Sequence, residues 1–266
     1  MSDRWDFYSL RVDDEPASIF LDMGIADEAP ISAYAIRGCV RVSMLRPRAD
    51  GLSSQEEFND LVALEDHVTP LIGARNKALY VGRNTSGGYR DFYFYTGDAA
   101  AFETAATEAM ISYPTYGFEL HTSPDPEWRA YFDFLYPPPL SRQQMANRAL
   151  QDALSDQGDD LDEPRPIDHL LLSTEAGKLE ELAALLRTQG YLVSNRRTYD
   201  DDGVFALEFQ RVDKPSEMQD VALGLYQMAT LHGADYDGWG CETVKGPQPT
   251  SARGRALGKW FKGLLR

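Results

Sequence analysis

GYLVSNRRTYDDDGVFALEFQ, residues 190–210, is the stretch whose pattern decides the fold. Gly190 is the residue type that best accepts the left-handed backbone at a helix end. A leucine stripe (Leu179, Leu182, Leu185, Leu186) runs up to it at helical spacing. Residues 191–199 then read as a strand, and Asp202-Gly203 as a hairpin turn. On the return strand Phe205, Leu207 and Phe209 alternate with Ala206, Glu208 and Gln210, the two-residue period of a sheet buried on one face. Helix, strand, hairpin and strand form the middle of a βαββαβ unit, and the flanks supply the rest. Upstream, residues 167–173 are a short apolar strand. Downstream, Pro215 opens a helix whose stripe (Met218, Val221, Ala222, Leu225, Met228, Ala229) ends at Gly233, and residues 235–244 form the closing strand. A leading helix over 141–154 and an acidic loop (Asp159, Asp160, Asp162, Glu163) precede the unit.

The same order recurs upstream of Tyr136-Pro137-Pro138-Pro139-Leu140, a proline run that favours a semi-rigid extended spacer. After an opening hairpin (5–12 and 17–22), Tyr34, Ile36, Gly38, Val40, Val42 and Met44 alternate with Arg37, Cys39 and Arg41 along a strand. Ser53 and Ser54 precede Glu56 and Glu57 by three residues, overlapping capping boxes for a helix through Phe58, Leu61 and Val68. Strands over 79–82 and 90–95 follow, then a helix capped by Asp98 and a last strand over 116–120. The predicted fold is α+β: two tandem ferredoxin-like βαββαβ domains, the first with an extra N-terminal β-hairpin, the second with a leading helix. The expected division is 1–136, a proline linker over 137–141, a second domain over 142–248, and a basic tail over 249–266.

Charge is unevenly spread. The net charge of −16 resolves into −11 for residues 1–140, −10 for 141–250 and +5 for the last sixteen residues. Two acidic bodies disfavour DNA and generic RNA and favour basic protein partners. In the tail, Ala256, Leu257, Trp260, Phe261, Leu264 and Leu265 fall in two adjacent rows of a helix flanked by Arg253, Arg255, Lys259, Lys262 and Arg266. That pattern suits a membrane surface, a partner or the chain's own acidic body, so residues 251–266 are open to membrane binding or self-docking. Acids in the start Met1-Ser2-Asp3-Arg4-Trp5-Asp6, where a signal peptide would be basic, and the absence of a long apolar run predict a cytoplasmic protein.

Catalytic motifs are lacking. Cys39 and Cys241 make no Cys-x-x-Cys pair, and His67, His121, His169 and His232 show no metal-ligand spacing, so no cofactor or metal is expected. Residues 82–88 lack the Gly-Lys-Ser/Thr ending of a phosphate loop and read as a hairpin. Asp200, Asp201 and Asp202 read as a solvated turn. One strand suggests nucleic acid: Arg90-Asp91-Phe92-Tyr93-Phe94-Tyr95 places aromatics after a basic residue, as RNA-recognition motifs do. RNA binding through Phe92 to Tyr95, or an unrecognised enzyme assembled from distant loops, are the alternatives to a non-enzymatic binding protein.

Tyr236, Asp237, Gly238, Trp239 and Gly240, read as a strand with Tyr236 lying over the two glycines, carry a family resemblance. With Arg148, Leu150, Leu154, Gly158-Asp159, Ile167, His169-Leu170 and Gly190-Tyr191, the chain from about 147 to 246 resembles RraB, the acidic protein regulator of ribonuclease E. The first half is similar to an uncharacterised bacterial family through Trp5, Glu65-Asp66 and Asp125-Pro126-Glu127-Trp128-Arg129-x-Tyr131. The RraB resemblance implies a regulator that binds and does no chemistry, with a basic segment of a ribonuclease E-type scaffold as partner. The loop acids Asp159, Asp160, Asp200, Asp201 and Asp202 are the residues expected to meet it. The oligomeric state stays open.

Overall fold

The computed structural model describes residues 2, 4–12, 14–76, 78–199 and 203–245, and these fall into two compact units dividing between Pro137 and Pro138. The first contains β1 (Trp5–Val12), β2 (Glu15–Asp22), β3 (Ile36–Ser43), α1 (Gln55–Asn76), β4 (Leu79–Ser86), β5 (Tyr89–Thr96), α2 (Ala99–Met110) and β6 (Phe118–Pro124). Its antiparallel sheet runs β1-β2-β4-β5-β3-β6. The second contains α3 (Pro139–Asp156), β7 (Arg165–Ser173), α4 (Ala176–Thr188), β8 (Leu192–Tyr199), β9 (Val204–Asp213), α5 (Met218–Leu231) and β10 (Asp235–Gly240), with sheet order β10-β7-β9-β8. Each βαββαβ set places its last strand beside its first, then the third, then the second, the ferredoxin-like order. The hairpin β1–β2 widens the first sheet beyond β4.

In the first unit Val40, Val42, Phe92 and Phe94 face Leu61, Leu64, Val68 and Phe102 across the sheet–helix interface. Gly38 is required there, because a Cβ would lie 2.6 Å from the Phe102 ring. The helix does run through Phe58, Leu61 and Val68; Leu61, Leu64, Val68 and Ile72 carry its buried stripe, and Phe58 is 42% exposed. Asp98 accepts the Ala101 amide at 3.0 Å, the N-cap its position announced. The capping box of α1 is half made: Ser54 accepts the Glu57 amide at 3.3 Å, while the Glu57 carboxylate turns away to accept from Leu45 and Arg46 N–H at 2.7 and 2.6 Å.

The other face of this sheet is covered by the chain after β6. Trp128 stacks on Tyr95 at 3.9 Å between ring centroids, and Tyr131 and Leu135, in a π-helical turn over Ala130–Leu135, are fully buried. Phe92 and Phe94 lie under the helices, and Tyr93 and Tyr95 lie under Phe134 and Trp128. All four rings of the aromatic strand are under 9% exposed, so they are not available to stack on bases.

Several boundaries differ from the sequence reading for local reasons. The β4–β5 turn is the two-residue Gly87-Gly88, with φ of 57° and 84°, so both strands run longer than expected. The third proline of the linker starts α3: Pro138 is the N-cap and Pro139 the first helical residue, where a missing N–H costs nothing.

Candidate functional site

The Tyr236–Gly240 segment lies on β10, an edge strand whose pairing among the described residues is with β7. Tyr236 stands opposite Leu171, Gly238 opposite Leu170 and Trp239 opposite His169, with a register shift between Tyr236 and Gly238. A regular strand would set Tyr236 with the glycines and Trp239 on the other face. The bulge, made at a φ of 120° that only glycine adopts readily, instead turns both rings toward the helices. Tyr236 belongs to the core of this unit, and Trp239 packs against it.

Both rings are tied by hydrogen bonds. The Tyr236 hydroxyl shares one with His169 Nδ1 at 2.8 Å, and burial holds the phenol far above its ordinary pKa. Trp239 Nε1 donates to Asn147 Oδ1 of α3 at 3.2 Å, and Gln143 Nε2 donates to the same oxygen at 3.0 Å. An indole can only donate, which fixes the orientation of the Asn147 amide and leaves its Nδ2, in a side chain 1% exposed, without a partner among the described residues. The motif thus clamps α3 to the sheet edge.

His169 is 3% exposed, stacked on Phe209 at 5.1 Å, and its Nε2 has no partner among the described residues. Burial pushes its pKa down to about 4, with Asp213 opposing and Arg211 adding to the shift. A depressed histidine favours the folded state above its unfolded pKa and loses that contribution as pH falls toward the folded value. The second unit should therefore lose up to roughly 3 kcal/mol between about pH 6.5 and pH 4. Denaturant unfolding of His169→Phe across this range should show a flatter slope than the parent, and an unchanged slope would assign it to other groups.

Beside the motif, α3, α5 and the start of β10 enclose an open groove of about 810 Å³. Pro139, Ala146 and part of Tyr226 give it apolar surface above the buried Tyr236, Asp235 and Asp237 stand exposed on the β10 side, and Arg142 lines it from α3. The groove was not legible from the sequence. Its one signal was Asp237 inside the family-like run.

The loop acids are not equivalent. The Asp159 side chain is 0% exposed, bonded to Arg165, itself 6% exposed, and its second oxygen accepts the Val244 amide at 2.9 Å. Asp159 is thus a buried structural carboxylate, and the expectation that it projects toward a partner is corrected: the buried guanidinium draws it inward. Asp160 is partly exposed and accepts the Asp162 amide at 3.1 Å. Asp200, Asp201 and Asp202 lie outside the described residues, as does the tail from 246 onward.

In the first unit, the residues that carried the resemblance are architectural. Trp5 stacks on Phe20 and Tyr80 at 5.0 and 5.3 Å. Glu65 accepts from Tyr80 Oη at 2.8 Å and Arg83 Nη1 at 2.6 Å beneath α1, with Arg90 3.6 Å away. Asp125 accepts from Tyr95 Oη at 2.6 Å and from the Arg129 and Ala130 amides. Burial alone would raise its pKa, but these bonds carry it below the usual carboxylate range. Among the described residues no group of three or more His, Cys, Asp or Glu side chains is placed to hold a metal ion, and no helix is long and apolar enough to cross a membrane.

Fold and site together define a tandem α+β protein with one antiparallel sheet per unit and an edge-strand groove in the second. The chain belongs to the family of unknown function DUF695, whose profile matches residues 3–136, and its second unit matches the family described as regulator of ribonuclease activity B, RraB, over residues 144–241. No curated protein matches the chain. Among solved structures, a protein described as a glycine cleavage system transcriptional repressor is 7% identical, with 79% of this chain and 98% of that one covered and a TM-score of 0.24. A protein of unknown function from Galdieria sulphuraria is 11% identical, with 76% and 96% covered and a TM-score of 0.22.

Proposed function

We propose that the chain is a non-catalytic regulator that acts by binding, through its acidic surface, a basic segment of a ribonuclease E-type enzyme. The RraB match carries this reading. It spans α3 to β10 and includes the Tyr236–Gly240 motif that clamps the leading helix to the sheet edge. An acidic partner surface suits a regulator of this kind, since exposed like charges steer a basic segment while each contributes little alone. The acids retained are Asp160 with Asp200, Asp201 and Asp202. Complex formation with a ribonuclease E-type enzyme should weaken steeply with salt, and neutralising Asp200, Asp201 and Asp202 should slow association more than it speeds dissociation. A titration at two salt concentrations, with stopped-flow rates for the triple variant, tests this. Binding that ignores salt, or no binding, would reduce the RraB match to one of fold.

A further inference from the structure

The groove beside the motif has a lining that matches one segment of this same chain. Its accessible surface combines Pro139, Ala146 and part of Tyr226 with two exposed carboxylates, Asp235 and Asp237, along the edge strand, and one cation, Arg142 of α3. Leu140 and Leu231, at the adjoining ends of α3 and α5, are 37% and 86% exposed. Residues 251–266 carry the complement: five basic side chains, no acid, and an apolar stripe including Trp260 and Phe261.

Reach is also sufficient. Lys245 bridges to Asp159, just beyond the C-terminal end of α3. The groove meets α3 at Arg142, Gln143 and Ala146, about 15–20 Å back along that helix at about 1.5 Å per residue. Residues 246–250 contain two prolines and, extended, cover about 17 Å.

We infer that the groove between α3, α5 and β10 is a docking site for the chain's own basic segment 251–266. The apolar stripe would lie on Pro139, Ala146 and Tyr226, with basic side chains along Asp235 and Asp237, the helix-in-groove mode of recognition. Occupancy in cis needs no tight intrinsic contact, because a short tether makes the effective concentration high.

The test uses a synthetic peptide of residues 249–266 and the chain ending at Gln248. The peptide should bind this shortened chain, and about fivefold to tenfold less well after Asp235→Asn with Asp237→Asn, since exposed charges each add little. Full-length protein, its groove already filled, should bind the added peptide at least about tenfold more weakly than the shortened chain. Equal binding by both chains would overturn the inference, as would undiminished binding of a peptide with the same residues in scrambled order. No ribonuclease takes part, so this outcome is independent of the regulator reading.

Discussion

Replacing Asp159 by Asn is expected to cost the second unit about 3–5 kcal/mol, the usual penalty for leaving a buried charge without its partner. The Asp159 side chain is 0% exposed and Arg165 only 6%, so water cannot take over the lost contact. The neutral amide would also weaken the bond from the Val244 amide that holds the chain after β10 beside the loop after α3. Asp160→Asn, one residue on, should stay within about 1 kcal/mol because that carboxylate is partly exposed and caps a turn. Hydrogen exchange of the β7 amides under graded denaturant reads this unit directly. Similar values for the two variants would mean that the Asp159–Arg165 pair does not hold the fold.

Trp128→Ala should be comparably severe in the first unit, about 3–5 kcal/mol. The indole is fully buried, lies flat on Tyr95 with an interplanar angle of 3°, and donates to the Tyr34 carbonyl at 2.9 Å. Truncation opens a cavity, orphans that carbonyl and exposes one face of β5. Its backbone sits at a φ of 56°, unfavourable for most side chains, so packing must outweigh local strain. Trp128→Phe should recover part of the loss by keeping a stacked ring. Protection of β5 amides is the readout, and a loss below about 1 kcal/mol for the alanine variant would show that the layer over β5 is not needed.

The element order was legible because it rests on local rules. Period-two runs such as Phe205-Leu207-Phe209, the leucine stripe before Gly190 and the cap at Asp98 each specify one element and agree with their neighbours. The site was legible only in part. Tyr-Asp-Gly-Trp-Gly satisfies strict alternation on paper, since glycine has no side chain to contradict it, so the bulge that brings Tyr236 and Trp239 to one face left no trace. Asp159 in an acidic loop looks solvated, and only the fold brings its buried pairing with Arg165 to light. Asn147 and Trp239 are far apart in sequence, and neither type alone announces that they share a hydrogen bond.

The covering layer of the first sheet joins the two ends of its unit. Tyr8 in β1 donates to the Leu135 carbonyl at 2.9 Å, and Tyr131 donates to the Asp22 carbonyl at 2.7 Å. During synthesis the opening hairpin leaves the ribosome long before these partners exist, at a translation rate of roughly 5–20 residues per second. For several seconds the apolar surface of Tyr8, Ile19 and Leu21 has no lid, and the nascent unit cannot complete until Leu135 has emerged. Proline residues immediately after that point begin the next unit, so the chain finishes closing one body as it starts threading out the other.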